Sequence, residues 1–220
     1  MQPKRNTQPP ALALIALGAN LNTDTDSPAQ TLKKSLLHLS EKGVSDIKTS
    51  RLFRTPAFPA GSGPDYVNAA AGFRWSDTPE ALLALLHEVE TELGRVRAER
   101  WGARVIDLDL VALGDMLRPD AQTQAHWAAL PPERAAQELP DRLILPHPRL
   151  AERSFVLVPL ADIAPDWHHP ATGLDIATML AARPAAERAE ITPIPWPGQD
   201  APATGAHNPC SGLVFRGVRG

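Results

Sequence analysis

"RVRAERWGARVIDLDL", residues 95–110, sets four arginines and a tryptophan directly before an apolar stretch that aspartate interrupts twice. Residues 104–113 read as a strand, and side chains of a strand alternate between its faces. Val105, Asp107, Asp109 and Val111 then share one side, while Ile106, Leu108, Leu110 and Ala112 share the other. The second side reads as core. The first presents two carboxylates about 7 Å apart along the strand at the usual rise per residue. Unpaired in a half-buried sheet, they repel each other and lose hydration. Two remedies exist: pairing with Arg97, Arg100 or Arg104, or a divalent cation. Hard oxygen ligands without nearby cysteine suit Mg²⁺, which takes one or two carboxylates and completes its shell with water and substrate phosphate. Arginines beside such a site have a natural partner in the phosphates.

Outward from this stretch, the chain alternates helices with short strands. "ALALIAL" (11–17) reads as a strand that passes into Gly18-Ala19-Asn20. Ser27 as N-cap, Pro28 at the first helical position and Gln30 completing a capping box predict a helix closing at Gly43, with Leu32, Leu36 and Leu39 inward. "DIKTSRLFRT" (46–55) alternates as a strand, a Pro/Gly loop follows, and "DYVNAAAGFRW" resumes the sheet. Thr78-Pro79 opens a second helix that runs to Leu93, burying Leu82, Leu86, Val89 and Leu93 and ending at Gly94. Residues 115–142 read as an elongated surface connection, "LILPHPRLAERSFVLVPLADIAPDW" restores apolar packing, and a last short helix starts after Asp175. The pattern predicts one α+β layered domain over 11–190, with flexible extensions at 1–10 and 191–220.

Composition narrows the function. With 220 residues, 43% of them hydrophobic, the chain suffices for one sizeable core. A formal net charge of −3 argues against a protein that coats nucleic acid or anionic membrane. Cys210 is the only cysteine, which removes an internal disulfide framework and a thiolate metal site and suits a reducing cytoplasm. Lys4 and Arg5 before "ALALIAL" imitate a signal peptide, but the short run and the loop behind it favour a strand. Neither G-x-x-x-x-G-K-[ST] nor G-x-G-x-x-G occurs. The residues alone therefore lead to metal-assisted phosphoryl or pyrophosphoryl transfer, with metal-dependent phosphate-ester hydrolysis close behind, and they do not name the acceptor.

"ALGANL", "FRTPAF", "PDYVNAA", "GRVRAERWGARVIDLDL", "LPHPRLAERSFVLVPL" and "IAPDW", in this order, closely resemble the hydroxymethyl-dihydropterin pyrophosphokinases of folate biosynthesis. The resemblance spans roughly residues 11–185 and implies a ferredoxin-like α/β/α domain with a mainly antiparallel sheet. It implies an enzyme that moves the β,γ-pyrophosphoryl group of ATP onto the pterin's hydroxymethyl oxygen and releases AMP, with two Mg²⁺ ions. By motif position Asp107 and Asp109 are the metal ligands and, with Arg95 and Arg104, the catalytic set. Arg95, Arg97, Trp101, Arg104, Leu110, Arg142, His147, Arg153, His87 and Glu90 fall to ATP. Thr55, Pro56, Phe58, Tyr66, Asn68 and Phe155 fall to the pterin. The expected partners are these small molecules, with no nucleic acid or membrane, for a cytoplasmic monomer.

Simpler readings stand beside these. Phe155 sits in an apolar segment and reads more readily as core, and His87 with Glu90 reads equally as an exposed helical pair. His147, between two prolines, is fixed by an X-Pro turn, whereas His168, His169 and His207 read as loop histidines. Tyr66 and Asn68 share a strand face, offering a stacking ring and an amide for a heterocycle's edge. That pair is unexplained in a phosphohydrolase, and a non-catalytic sensor has no need of the aspartates and arginines. Three departures from the family pattern are a shorter arginine loop, the longer 115–142 connection and a tail from 186 without counterpart.

Overall fold

The structure is a computed structural model, and it describes residues 9–57, 61, 63–95, 104–199 and 213–215. The apolar run near the N-terminus forms β1 (Ala11–Ala19), and α1 (Pro28–Glu41) follows it. The predicted capping box is present: Gln30 N–H donates to the Ser27 hydroxyl, and the Gln30 side chain accepts from Ser27 N–H at 2.8 Å. Leu32, Leu36 and Leu39 face inward. Next come β2 (Ile47–Thr49), β3 (Leu52–Thr55) and β4 (Tyr66–Trp75), then α2 (Pro79–Glu92), which Thr78 caps by accepting from Ala81 N–H at 3.1 Å. β5 (Asp107–Leu113) leads into α3 (Ala121–Ala128), α4 (Pro132–Gln137) and α5 (Ser154–Ile163). The chain continues as α6 (Ile176–Ala181), α7 (Ala185–Ala189), β6 (Thr192–Ile194) and β7 (Val214–Phe215).

The strands form one antiparallel sheet in the order β5-β1-β4-β2-β7, with β3 between β4 and β6. One core lies between the sheet and α1 with α2, gathering Ile15, Leu17, Leu36, Leu86 and Leu108. A second lies beneath α5 and α6, gathering Leu14, Ala16, Ala70, Leu157 and Ile176. The sheet is thus the middle of three layers, an α+β fold of the expected α/β/α kind. Among the described residues no helix is long and apolar enough to cross a membrane.

Two bulges alter what simple alternation predicts. On β5, Leu14 pairs with Ala112 but Ile15 with Leu110, so Val111 is the extra residue. Ala112, expected beside Leu108 and Leu110, therefore turns to the α5 side, because a bulge resets the face. The predicted strand 46–55 is likewise two strands. Thr49 pairs with Ala71 and Phe53 with Asn68, four residues on one side against three on β4.

The described part of the tail departs from the expected flexible extension. β6 pairs with β3, and Trp196 is 1% exposed, donating its indole N–H to Ser50 O at 2.9 Å. Ser50 lies at the bulge between β2 and β3, where regular pairing is interrupted. Proline-rich composition masked this strand, although an edge strand accepts proline without loss of pairing. The 115–142 connection is also more than surface. Arg118 exchanges backbone hydrogen bonds with Leu145 at 2.9 and 3.1 Å, and Gln124 on α3 is buried.

Candidate active site

Register brings the candidate residues together. Gly18 of β1 pairs with Asn68 on one side and Asp107 on the other; Ala16 pairs with Ala70 and Asp109. Thr55 pairs with Tyr66, and Phe53 with Asn68. Paired residues of an antiparallel sheet point to the same side, so Thr55, Tyr66, Asn68, Asp107 and Asp109 share one face. Among the described residues, helix α5 packs on this side over Leu14, Ala16, Ala70, Gly72 and Val111, and its N-terminal end carries Arg153 and Phe155. The small residues Gly18 and Ala16 form the floor between the two groups. A Cβ on Gly18 would stand 3.1 Å from Asn68 Oδ1, which leaves little room there for a side chain.

Charges crowd the β5 end. Asp107 pairs with Arg95 at 2.7 Å and with Arg104, and Asp109 pairs with Arg153 at 3.4 Å. Burial first, and the neighbouring Asp109 second, raise Asp107 above its ordinary carboxylate value, against the pull of Arg104 and Arg95. Glu90, 1% exposed, accepts from Leu108 N–H at 2.7 Å and pairs with Arg95, so α2 grips the edge strand that carries the aspartates. Desolvation raises the Glu90 pKa, while Leu108 N–H and Arg95 lower it. The reading of His87 and Glu90 as an exposed pair fails: Glu90 faces inward and His87 is half-buried.

His147 is set by the β5 bulge, since its N–H donates to Val111 O at 2.8 Å. Its Nδ1 accepts from Arg149 N–H at 3.1 Å, which puts the ring proton on Nε2. Burial, then Arg153 and Arg149, push its pKa down to about 3, so the ring is neutral. His147, Asp109 and Arg153 line one small pocket with Ala16, Leu150 and Val156.

The other end is neutral. Asn68, buried, donates from Nδ2 to Thr55 Oγ1 at 3.0 Å, and Tyr66 stands half-buried beside it. Phe155 is not core: it is 37% exposed, with the Arg153 guanidinium 5.8 Å from its ring centre. Pro56 is exposed at the end of β3.

Two expected residues do not join. Leu110 points into the core under α1 and α2, on the opposite face from Asp109, so its side chain cannot line the site. Arg142 pairs with adjacent Asp141 at 2.8 Å on an exposed loop. Phe58, Arg97, Arg100, Trp101, His207 and Cys210 lie outside the described residues. Sequence reasoning missed Asn20, buried just after β1 and bonded to both flanking loops; its place in "GAN" at a strand end was the available signal.

The carboxylate pair fits Mg²⁺. Among the described residues no group of three or more His, Cys, Asp or Glu side chains could hold a metal ion. Asp107 and Asp109 would hold an ion that draws its remaining ligands from water and phosphate, the habit of Mg²⁺. Asp107, desolvated and repelled by the neighbouring Asp109, would itself be stabilised by a cation.

The family model for 7,8-dihydro-6-hydroxymethylpterin-pyrophosphokinase matches residues 14–165. The chain belongs to this family. The pyrophosphokinase of Synechocystis sp. is 33% identical over 185 residues, covering 84% of this chain and 79% of its own. That of Haemophilus influenzae is 35% identical over 160 residues, 70% of this chain and 82% of its own. The folic acid synthesis protein fol1 of Pneumocystis carinii is 37% identical over 164 residues, 74% of this chain but only 19% of that longer protein. Among solved structures, wild-type Plasmodium falciparum HPPK-DHPS has a TM-score of 0.52 at 15% identity, covering 78% of this chain and 44% of that one. At that identity the likeness supports the pyrophosphokinase fold alone.

Proposed function

We propose that the chain transfers the β,γ-pyrophosphoryl group of ATP to the hydroxymethyl oxygen of 6-hydroxymethyl-7,8-dihydropterin, giving AMP and the pterin diphosphate in folate synthesis. The observation that carries this reading is the row Asn68–Gly18–Asp107 across three strands. It sets an amide for a heterocycle and a carboxylate for a metal on one face, about 10 Å apart at the usual strand spacing. Tyr66 and Phe155 supply stacking surfaces, and Thr55 fixes the orientation of the Asn68 amide.

Mg²⁺, two ions in this reading, would be held by Asp107 and Asp109 and would neutralise triphosphate oxygens while polarising the phosphorus under attack. Arg95 and Arg104, which neutralise Asp107, and Arg153, which neutralises Asp109, can turn the same guanidiniums to phosphate oxygens. His147 offers a neutral Nε2–H to the same oxygens. Asp107 is the carboxylate available to accept the hydroxyl proton, and most of the catalysis is positioning.

Phosphorus NMR of the full chain with ATP, Mg²⁺ and the pterin tests this. AMP and pterin diphosphate should accumulate in equal amounts. ADP as the main product would make it an ordinary kinase, and AMP with free pyrophosphate and unmodified pterin a hydrolase.

A further inference from the structure

Just beyond β1, Asn20 is 5% exposed, and its hydrogen bonds reach both sides of the site. Its Oδ1 accepts from Arg104 N–H at 2.8 Å, and its own N–H donates to Arg104 O at 3.0 Å. Its Nδ2 donates to Pro64 O at 3.3 Å. Arg104 is the arginine paired with Asp107, and Pro64 stands two residues before Tyr66. We infer that Asn20 is a positioning residue that fixes the distance between the phosphate-side arginine and the pterin-side strand, an inference that rests on the function proposed above.

The chemistry of the two contacts explains why an amide stands there. Arg104 N–H needs an acceptor and Pro64 O needs a donor, and one short planar amide supplies both from adjacent atoms. A carboxylate only accepts. It retains the Arg104 contact but sets a negative oxygen against the Pro64 carbonyl. Alanine supplies neither, and leaves a buried N–H without its acceptor. Asn20→Asp therefore separates the two arms, and Asn20→Ala removes both. Neither variant alters a group assigned to substrate or metal.

The test is steady-state kinetics of the full chain with ATP, Mg²⁺ and hydroxymethyl-dihydropterin, with thermal melts of each variant and amide hydrogen exchange at Arg104. In Asn20→Asp the pterin KM should rise at least fivefold, while the ATP KM stays within twofold of the parent. In Asn20→Ala both KM values should rise, kcat should fall at least tenfold, and the Arg104 amide should exchange at least tenfold faster. If Asn20→Asp does not fold, Asn20→Ala decides, because it buries no charge. Variants that melt earlier but keep both KM values would reduce Asn20 to a purely structural residue and overturn the inference. An ATP KM that rises alone in Asn20→Asp overturns it as well. A parent protein that forms no AMP would instead remove the functional reading, and the positioning role with it.

Discussion

The two ends of the site are ordered by different forces. At the β5 end, Asp107, Asp109 and Glu90 are held by Arg95, Arg104 and Arg153, so order depends on charges that phosphate and a cation can exchange. At the β4 end, Asn68 is held by the Thr55 hydroxyl and seated against Gly18, so order depends on fixed neutral contacts. Charge changes at the first end should act on the rate of transfer. Shape changes at the second should act on pterin affinity with little effect on ATP.

The largest effect should come from removing a carboxylate. Asp109→Ala should lower kcat at least a thousandfold, about 4 kcal/mol of barrier, with the circular dichroism spectrum unchanged. Asp107→Ala should behave likewise while taking one partner from Arg104 and leaving Arg95 with Glu90. Near-normal turnover in either variant, with metal still required, removes that residue from the ligand set and dissolves the contrast between the ends.

The neutral end rests on the tail. Trp196 donates to the Ser50 carbonyl at the bulge preceding β3, and β3 carries Thr55. Trp196→Phe keeps an aromatic ring but orphans that buried carbonyl, which should cost about 1–3 kcal/mol of stability. Urea denaturation should show a lower midpoint at unchanged slope. An unchanged midpoint would mean that the tail does not support this end.

The charged end was the more legible in sequence, because carboxylates inside an apolar alternation have few explanations. Both remedies weighed for Asp107 bear on the outcome: it is paired with arginines, and the same pair fits a metal. Capping residues and leucine spacing foretold α1 and α2 because those signals are local. The bulge at Val111 was not legible, since nothing in "DLDLVAL" distinguishes an extra residue from a regular one. Strand β6 was hidden for a related reason: its pairing with β3 spans a long sequence separation, and proline-rich composition suggested a loop. Leu110 was carried into the ATP set by family position, whereas alternation alone had already put its side chain in the core.

Gly18, where the two ends meet, gives a smaller and more discriminating test. A methyl group there would lie 3.1 Å from Asn68 Oδ1, close enough to displace the amide but away from the arginines' partners. Gly18→Ala should raise the pterin KM about tenfold, the scale of one buried polar contact, and leave the ATP KM within twofold. An equal rise in both KM values would show that the floor between Asn68 and Asp107 serves both substrates alike.

His147 should have the smallest effect of all on the pH profile, although it lines a pocket with Asp109 and Arg153. Its ring accepts from Arg149 N–H, and burial with Arg153 and Arg149 pushes its pKa down to about 3. An unfolded chain binds that proton near pH 6.5. Between these values the unfolded state carries a proton that the native state lacks, so the linkage has a definite sign. Stability is full above about pH 6.5 and falls as the pH drops toward 3. Across pH 6–8 the ring should stay neutral and keep Nε2–H as its donor, changing kcat/KM by less than twofold through its own titration. The Cε1 proton of His147, followed by NMR, should show no titration between about pH 5 and 8. His147→Gln should flatten the acid side of the stability curve and leave it nearly unchanged at neutral pH. A Cε1 midpoint above about 5 would mean that the ring charges within reach of the aspartates, and His147 would then belong with the exchangeable charges of the β5 end.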